Sequence, residues 1–296
     1  MTYLIRQMGH IALATPDPEG SAQDLSDIVG LAIIERGTEL VTLSCNSRRH
    51  EVGYFKSEKR AVLAVGLEAA NPEAIDEVRR RAVGRHCEIL ADHSYFPHVD
   101  RAVRLRTPHG LIFEVHTPVP RDQPARRIGH GATPVRLEHV NVRVEDARDF
   151  GDFCANVFGM KLSDRTTNDE LMWFRAADGF HHTIAIGTGP AKLHHYGFDA
   201  NCFEDIAMVA DTLSVKGRTM LWGPGRHGAG DNIFSYYADP NGCVVETSIE
   251  MERIDCDALF KPRTWSLGPE SRVRNLWGPL EGADYRAAGI PFAVEP

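Results

Sequence analysis

Two histidines and one glutamate in the second half of this 296-residue chain could together hold a cation. In "RLEHVNVRVED", Val140, Val142 and Val144 share one face of an alternating stretch. Leu137, His139, Asn141 and Arg143 share the other, so His139 points away from the apolar layer. In "KLHHYGFDA", His194, Tyr196 and Phe198 form the bulky face. His195 lies opposite, beside Gly197, whose missing side chain leaves room next to it. Adjacent strand residues face opposite ways, so only one of the two neighbouring histidines can enter a given pocket, and the pattern assigns that place to His195. In "CVVETSI", Glu246 sits mid-strand in an apolar run, where an unpaired carboxylate is costly to bury. Two imidazoles and that carboxylate converging on one sheet would offset the cost by binding metal. Such a set, on one face of an octahedron, is the ligand triad of non-haem Fe(II) and leaves room for a bidentate substrate and O2. Mn(II) suits the same donors. Either histidine alone reads better as a hydrogen-bonded core residue; all three donors, on matching strands of successive units, favour the metal.

The elements that must position these groups come from a repeat. "MGHIALAT" matches "LEHVNVRV", setting His10 against His139, and "DIVGL" matches "NVFGM". "AANPEAIDEVRR" matches "DANCFEDIAMVA", and "LRTPHGLIFEVHTP" matches "YADPNGCVVETSI", setting Glu114 against Glu246. The offset stays near about 130 residues, as a duplication requires. Each half reads as strand, helix, then strands, twice over. Phe150, Phe153, Cys154 and Val157 form a helical stripe that Gly159 should stop. Asn71 followed by Pro72 predicts a capped helix start, and Asn201 with Glu204 predicts the equivalent cap. The fold class is therefore α+β: four βαβββ units paired into two modules. The expected organisation is an N-terminal non-metal module at 1–120, a linker at 121–135 and a C-terminal metal-binding module at 136–255. A tail at 256–296 completes the chain. The linker assignment rests on the Pro-, Gly- and Arg-rich "PVPRDQPARRIGHGATP". The N-terminal half keeps His10 and Glu114, but "KRAVLAVGLEAA" has no histidine at the place of His195, so one site per chain is expected. The tail, rich in Trp and Pro, could cover the pocket, form a subunit contact or pack on the surface.

Hydrophobic residues are 43% of the chain and charged residues 25%, a globular composition. A net charge of −8 with no basic run argues against nucleic acid. The apolar stretches are too short for a membrane span, and "MTYLIRQMGH" lacks signal-peptide features, so a cytoplasmic protein is expected. The six cysteines form no CxxC pair; Cys154 and Cys243 fall in apolar patterns as small core residues.

The motifs "LEHVNV", "FHHTIAIG", "KLHHYGF" and "GPGRHGAGDNIFSYYADPNGCVVE" resemble the type I extradiol ring-cleavage dioxygenases of the vicinal oxygen chelate superfamily. Catechol 2,3-dioxygenases and 2,3-dihydroxybiphenyl 1,2-dioxygenases are among them. The resemblance implies half-open, barrel-like sheets and an Fe(II) site made by His139, His195 and Glu246. It implies that His182 is an acid/base and that His227 and Tyr236 contact substrate or oxygen. His181, on the other strand face, is the weaker candidate. Tyr236 has independent support. If "DPNG" closes a three-residue hairpin loop ending in a glycine bulge, Asp239 pairs with Cys243 and Tyr236 falls opposite Glu246. Taken alone, His227 in its Gly-rich loop could be a surface residue.

The implied reaction inserts O2 into a small aromatic diol beside its two hydroxyls, in a homo-oligomer. Within the same fold, a glyoxalase- or epimerase-type metal enzyme would need a fourth protein ligand and would have no use for His182, His227 and Tyr236. A metal-free binding protein of the bleomycin-resistance kind would carry apolar residues at the ligand positions. A 4-hydroxyphenylpyruvate dioxygenase-like enzyme shares the triad, but the spacing of His227 and Tyr236 argues against it.

Overall fold

The computed structural model describes residues 3–124, 131–268 and 271–294; part of the expected linker, 125–130, lies outside the described residues. The first unit runs β1 (Ile5–Thr15), α1 (Pro18–Val29), β2 (Ala32–Arg36), β3 (Leu40–Ser44), β4 (Val52–Lys56). The second runs β5 (Ala61–Ala69), α2 (Pro72–Gly84), β6 (Glu88–Ala91), β7 (Ala102–Arg106), β8 (Ile112–His116). The third runs β9 (Arg136–Val144), α3 (Ala147–Asn156), β10 (Lys161–Thr166), β11 (Leu171–Arg175), β12 (Ile184–Thr188). The fourth runs β13 (Lys192–Asp199), α4 (Phe203–Val215), β14 (Trp222–Arg226), β15 (Ile233–Ala238), β16 (Val244–Ile249). After these come β17 (Arg263–Trp265) and α5 (Ala283–Ala287). The α+β class and the fourfold βαβββ order are those expected.

Paired units share a sheet. The N-terminal order is β2-β3-β4-β1-β5-β8-β7-β6, and the C-terminal order is β14-β15-β16-β13-β9-β12-β11-β10-β17. In each, the first strands of two units lie side by side and antiparallel, β1 on β5 and β9 on β13. The helices put their apolar stripes on one face of the sheet. In α3, Phe150, Phe153 and Cys154 are fully buried with Val157 beside them. One continuous apolar core joins the two modules, and the Tyr54 and Tyr196 hydroxyls meet across it at 3.3 Å.

Two local expectations shift. The helix before Gly159 ends at Asn156; Gly159 (φ +64°) supplies the left-handed turn that follows, where a β-carbon would be disfavoured. Helix α4 is capped at Cys202 and not at Asn201. The Asp205 carboxylate accepts both the Asn201 and Cys202 N–H groups, while the Asn201 amide is drawn off to donate to the Thr133 carbonyl (2.5 Å). A carboxylate is the stronger acceptor at a helix start, so it sets the cap.

Glycines open the sheets at matching points. A β-carbon on Gly197 would stand 2.4 Å from the His139 ring, and one on Gly66 would stand 2.5 Å from the His10 ring. The room left by Gly197 is thus taken by His139 and not by His195. Gly197→Ala and Gly66→Ala should each destabilise the metal-free protein by about 1–3 kcal/mol, because both rings must shift in a packed interior. Denaturant unfolding measures this. Only Gly197→Ala should also lower bound divalent metal; equal metal content in the two variants would contradict the division of roles.

Candidate metal centre

Strand order brings the three expected ligands together. β13 lies between β9 and β16, and Gly197 is paired with His139 on one side and Glu246 on the other. Over that glycine the two flanking side chains meet: His139 Nε2 is 2.9 Å from Glu246 Oε2. His195 enters from further along β13, its Nε2 3.4 Å from the same oxygen. One ligand atom from each of His139, His195 and Glu246 lies within 4.8 Å of the others, and all three residues are buried.

The tautomers follow from what the remaining ring nitrogens touch. His139 Nδ1–H donates to Glu138 Oε2 (3.1 Å), which turns Nε2 to Glu246; in the metal-free protein Nε2 holds the proton it shares with that carboxylate, and a metal ion would take that proton's place. His194 Nε2–H donates to the Tyr285 carbonyl (2.8 Å), so its Nδ1 accepts from His195 Nδ1–H (2.9 Å). His195 therefore turns a bare Nε2 to the cluster. Strict alternation would hold His194 away from its neighbour. A register shift between Leu193 and His195 breaks the alternation and lets the rings meet. His194 thus stays outside the cavity and orients the histidine inside it. Two imidazole nitrogens, one bare and one freed when its shared proton leaves, and one carboxylate oxygen converge in a buried pocket, a donor set that fits a divalent first-row metal.

His182 and His181 repeat this device. They lie in the segment before β12 and not on the strand itself, so opposite strand faces do not separate them. His181 Nε2 lies 3.2 Å from Asp164 Oδ2, and His181 Nδ1 lies 3.0 Å from His182 Nδ1. Asp164 is held by Arg263 (2.8 Å) and Trp265 Nε1 (2.8 Å), both on β17. With Asp164 accepting from His181, His181 accepts from His182, and His182 keeps an unprotonated Nε2. Its ring packs edge-on against His139, with centroids 4.6 Å apart. His227 follows β14 and is half-buried. It donates Nδ1–H to the Arg274 carbonyl (2.5 Å) and accepts at Nε2 from the Tyr236 hydroxyl (2.9 Å). Tyr236 pairs directly with Glu246, as the three-residue hairpin requires. Asp239 N–H bonds the Cys243 carbonyl (2.8 Å), and Gly242 has φ +86°.

His139, His195, Glu246, His182, His227 and Tyr236 all line one cavity of about 400 Å³. His181 does not. Residues absent from the expected set complete the wall: Asn141 and Arg143 on β9, Trp173 on β11, Trp222 on β14, and Arg274 and Tyr285 from the tail. Alternation had put Asn141 and Arg143 on the face of His139, and that was the available signal. Nothing in the local pattern marked Trp222 or Tyr285. The tail therefore covers the pocket: Tyr285 anchors His194 and Arg274 anchors His227. In the N-terminal module His10 Nε2 is 3.3 Å from Glu114 Oε1. Ala64 stands two residues before Gly66, where His195 stands before Gly197. Among the described residues the only three-donor cluster is the C-terminal one.

Burial shapes the protonation states. It pulls the His139 imidazole down, but the Glu246 and Glu138 carboxylates outweigh it and hold its pKa at about 10. Burial, then the neighbouring histidines, pushes His182 and His195 well below the ordinary range, so both are neutral. Burial, then the Glu246 charge, drives Tyr236 well up, so its hydroxyl stays a donor.

Residues 136–247 match the Glyoxalase/Bleomycin resistance protein/Dioxygenase superfamily. The C-terminal module is a domain of that superfamily. A manganese-dependent 2,3-dihydroxybiphenyl 1,2-dioxygenase from Geobacillus genomosp. 3 is 26% identical over 263 residues, covering 81% of this chain and 83% of that protein. Metapyrocatechase 2 of Cupriavidus necator is 25% identical over 299 residues, covering 94% and 90%. The crystal structure of a Mn(II)-bound glyoxalase from Novosphingobium aromaticivorans superposes with a TM-score of 0.87 at 25% identity, covering 99% of this chain and 96% of that one. The superfamily domain thus contains the whole cluster.

Metal must displace the proton shared by His139 and Glu246. Divalent-metal affinity should therefore rise by about tenfold per pH unit on the acid side of the His139 pKa, with proton release detected by calorimetry in buffers of different ionisation enthalpy. The sign for the metal-free protein is opposite. The His139 pKa is raised from 6.5 to about 10, so the pairing stabilises fully below 6.5 and is lost as pH climbs through 10. Metal uptake without proton release would contradict the shared proton.

Proposed function

We propose that this chain is an extradiol dioxygenase, cleaving a small aromatic diol with O2 at a mononuclear site formed by His139, His195 and Glu246. The observation that carries the reading is the convergence of this triad with His182, His227 and Tyr236 on one cavity. The names of the similar proteins from Geobacillus and Cupriavidus support it. We assign Fe(II) to the site; Mn(II) is the alternative, favoured by the manganese dependence of the Geobacillus relative. In this reading 136–255 is the catalytic module, 1–120 the non-metal module, 121–135 the linker and 256–296 the tail. The enzyme works as a cytoplasmic homo-oligomer with neither nucleic acid nor membrane as partner. Among the described residues no helix is long and apolar enough to cross a membrane.

The overall change breaks the ring C–C bond beside the two hydroxyls and adds both atoms of O2. A bound divalent ion supplies Lewis acidity toward the diol and holds both reactants in one place. The side chains do the rest. His182 Nε2 takes a hydroxyl proton from the diol and returns it as the ring opens; a neutral imidazole serves both directions. Its partner His181 keeps the proton-free nitrogen turned to the cavity. The Tyr236 hydroxyl, on turning away from His227 Nε2, donates to an oxygen on which negative charge grows, and His227 does so once its Nε2 takes up a proton. Trp222, stacked on Tyr236 with ring centroids 5.5 Å apart, and Tyr285 exclude water from that side.

The Novosphingobium glyoxalase favours a second reading, metal chemistry without O2. Oxygen uptake separates the two. Protein loaded anaerobically with Fe(II), and in parallel with Mn(II), is exposed to air with a panel of catechols, biphenyl-type diols and hydroquinones. Yellow ring-fission products and stoichiometric O2 consumption are expected. If metal is bound and no diol consumes O2, the dioxygenase reading falls. His182→Ala should keep its metal and lose about 10²- to 10⁴-fold in turnover, whereas Glu246→Ala should lose metal. Full metal content and full rate in both variants would refute the site.

A further inference from the structure

Among the cations of the cavity wall, Arg143 has no hydrogen-bond or ion-pair partner among the described residues. Arg143 follows His139 and Asn141 on the same face of β9 and lines the cavity with them. Its strand neighbour on β12 is Gly187. A β-carbon there would stand 2.0 Å from Nη1 and 2.7 Å from Cζ, so the guanidinium lies over the glycine just as the His139 ring lies over Gly197. The sheet is thus opened for this side chain as it is for a metal ligand. The other cations of the cavity are engaged. Lys192 donates to the Ala287 carbonyl (2.8 Å), Arg286 to the Glu281 carbonyl (2.7 Å), and Arg274 to the Glu281 carboxylate. Among the described residues, no hydrogen bond or ion pair reaches the Arg143 guanidinium. Burial pulls its pKa down; the Glu281 carboxylate offsets this in part and the Arg274 charge opposes it. Arg143 is half-buried at the cavity wall, and a guanidinium there with no protein partner is free to take an anionic group from the cavity.

We propose that Arg143 binds an anionic ring substituent, a carboxylate, at the end of the aromatic diol remote from its two hydroxyls. The inference rests on the extradiol reading and adds the substrate class. Four residues of extended strand separate Arg143 from His139, about 13 Å at ~3.3 Å per residue. With both side chains leaning over the cavity, that interval accommodates a ring carrying a short acidic arm. The planar fork of a guanidinium matches a carboxylate with two parallel hydrogen bonds. The diol hydroxyls then face the His–His–Glu cluster and the carboxylate faces away from it, which fixes the ring in one orientation.

The test compares isosteres. Metal-loaded enzyme is titrated without O2, by calorimetry, with 3,4-dihydroxyphenylacetate and with neutral 4-ethylcatechol, and kcat/KM is measured for both in air. The acid should bind about 10- to 100-fold more tightly, the range for a charge-assisted pair away from water. In Arg143→Met that ratio should fall to near one, and Arg143→Lys should keep part of it. Equal affinity for the two compounds in the unaltered enzyme overturns the proposal even if neither variant folds. So does an unchanged ratio in Arg143→Met. Failure of the parent reading looks different: neither compound consumes O2, while the binding ratio still judges Arg143.

Discussion

A carboxylate with 1% exposure, set between two imidazole nitrogens, is the constraint on which the C-terminal module is built. Left alone, such a group would be costly to bury. Hydrogen bonds behind each imidazole settle the problem by deciding which nitrogen carries the proton. Glu138 does this for His139, and the Tyr285 carbonyl does it for His195 through His194. Without those outer partners a ring could flip or change tautomer, and the cluster would lose its three convergent donors.

Adjacent histidines recur as one device. In His181–His182 and His194–His195 the first ring is bonded outward, to a carboxylate or a carbonyl, and the second is turned inward with a bare nitrogen. The outer anchors come from the end of the chain: β17 holds Asp164, and the α5 segment holds His194. The tail is therefore tied to the chemistry and does more than cover a surface. Arg274 and Trp222 extend the same logic on the opposite wall, where His227 and Tyr236 are fixed.

The duplication explains why there are two similar sheets and one cluster. Both modules use a glycine on the central strand to admit a histidine ring, Gly66 for His10 and Gly197 for His139. Both place a glutamate beside that glycine, Glu114 and Glu246. At the third ligand position they diverge, Ala64 against His195. In the N-terminal module the Glu114 carboxylate is satisfied by Ser94 and the Tyr95 N–H and lies close to His10. Burial works against its ionisation, but His10, His116 and Ser94 hold its pKa at about 2. The N-terminal core has thus closed over the position that the C-terminal module keeps open to a cavity.

Much of the fold and the cluster was legible because it depends on short-range periodicity. Alternation in "LEHVNVRV" put His139 on the inner face, the repeat set the unit order, and the hairpin arithmetic placed Tyr236 opposite Glu246. Those features obey strand and turn geometry, which a few neighbouring residues decide. What the sequence by itself determined was the four-unit architecture and the identity of the residues that meet. Tertiary structure alone decided the rest. It broke alternation at His194, moved the helix cap from Asn201 to Cys202, and gave the space beside Gly197 to His139. It also brought Tyr285 and Arg274 onto the pocket from far along the chain. Those outcomes depend on which distant groups compete for the same hydrogen bonds and the same volume, and no local pattern carries that information.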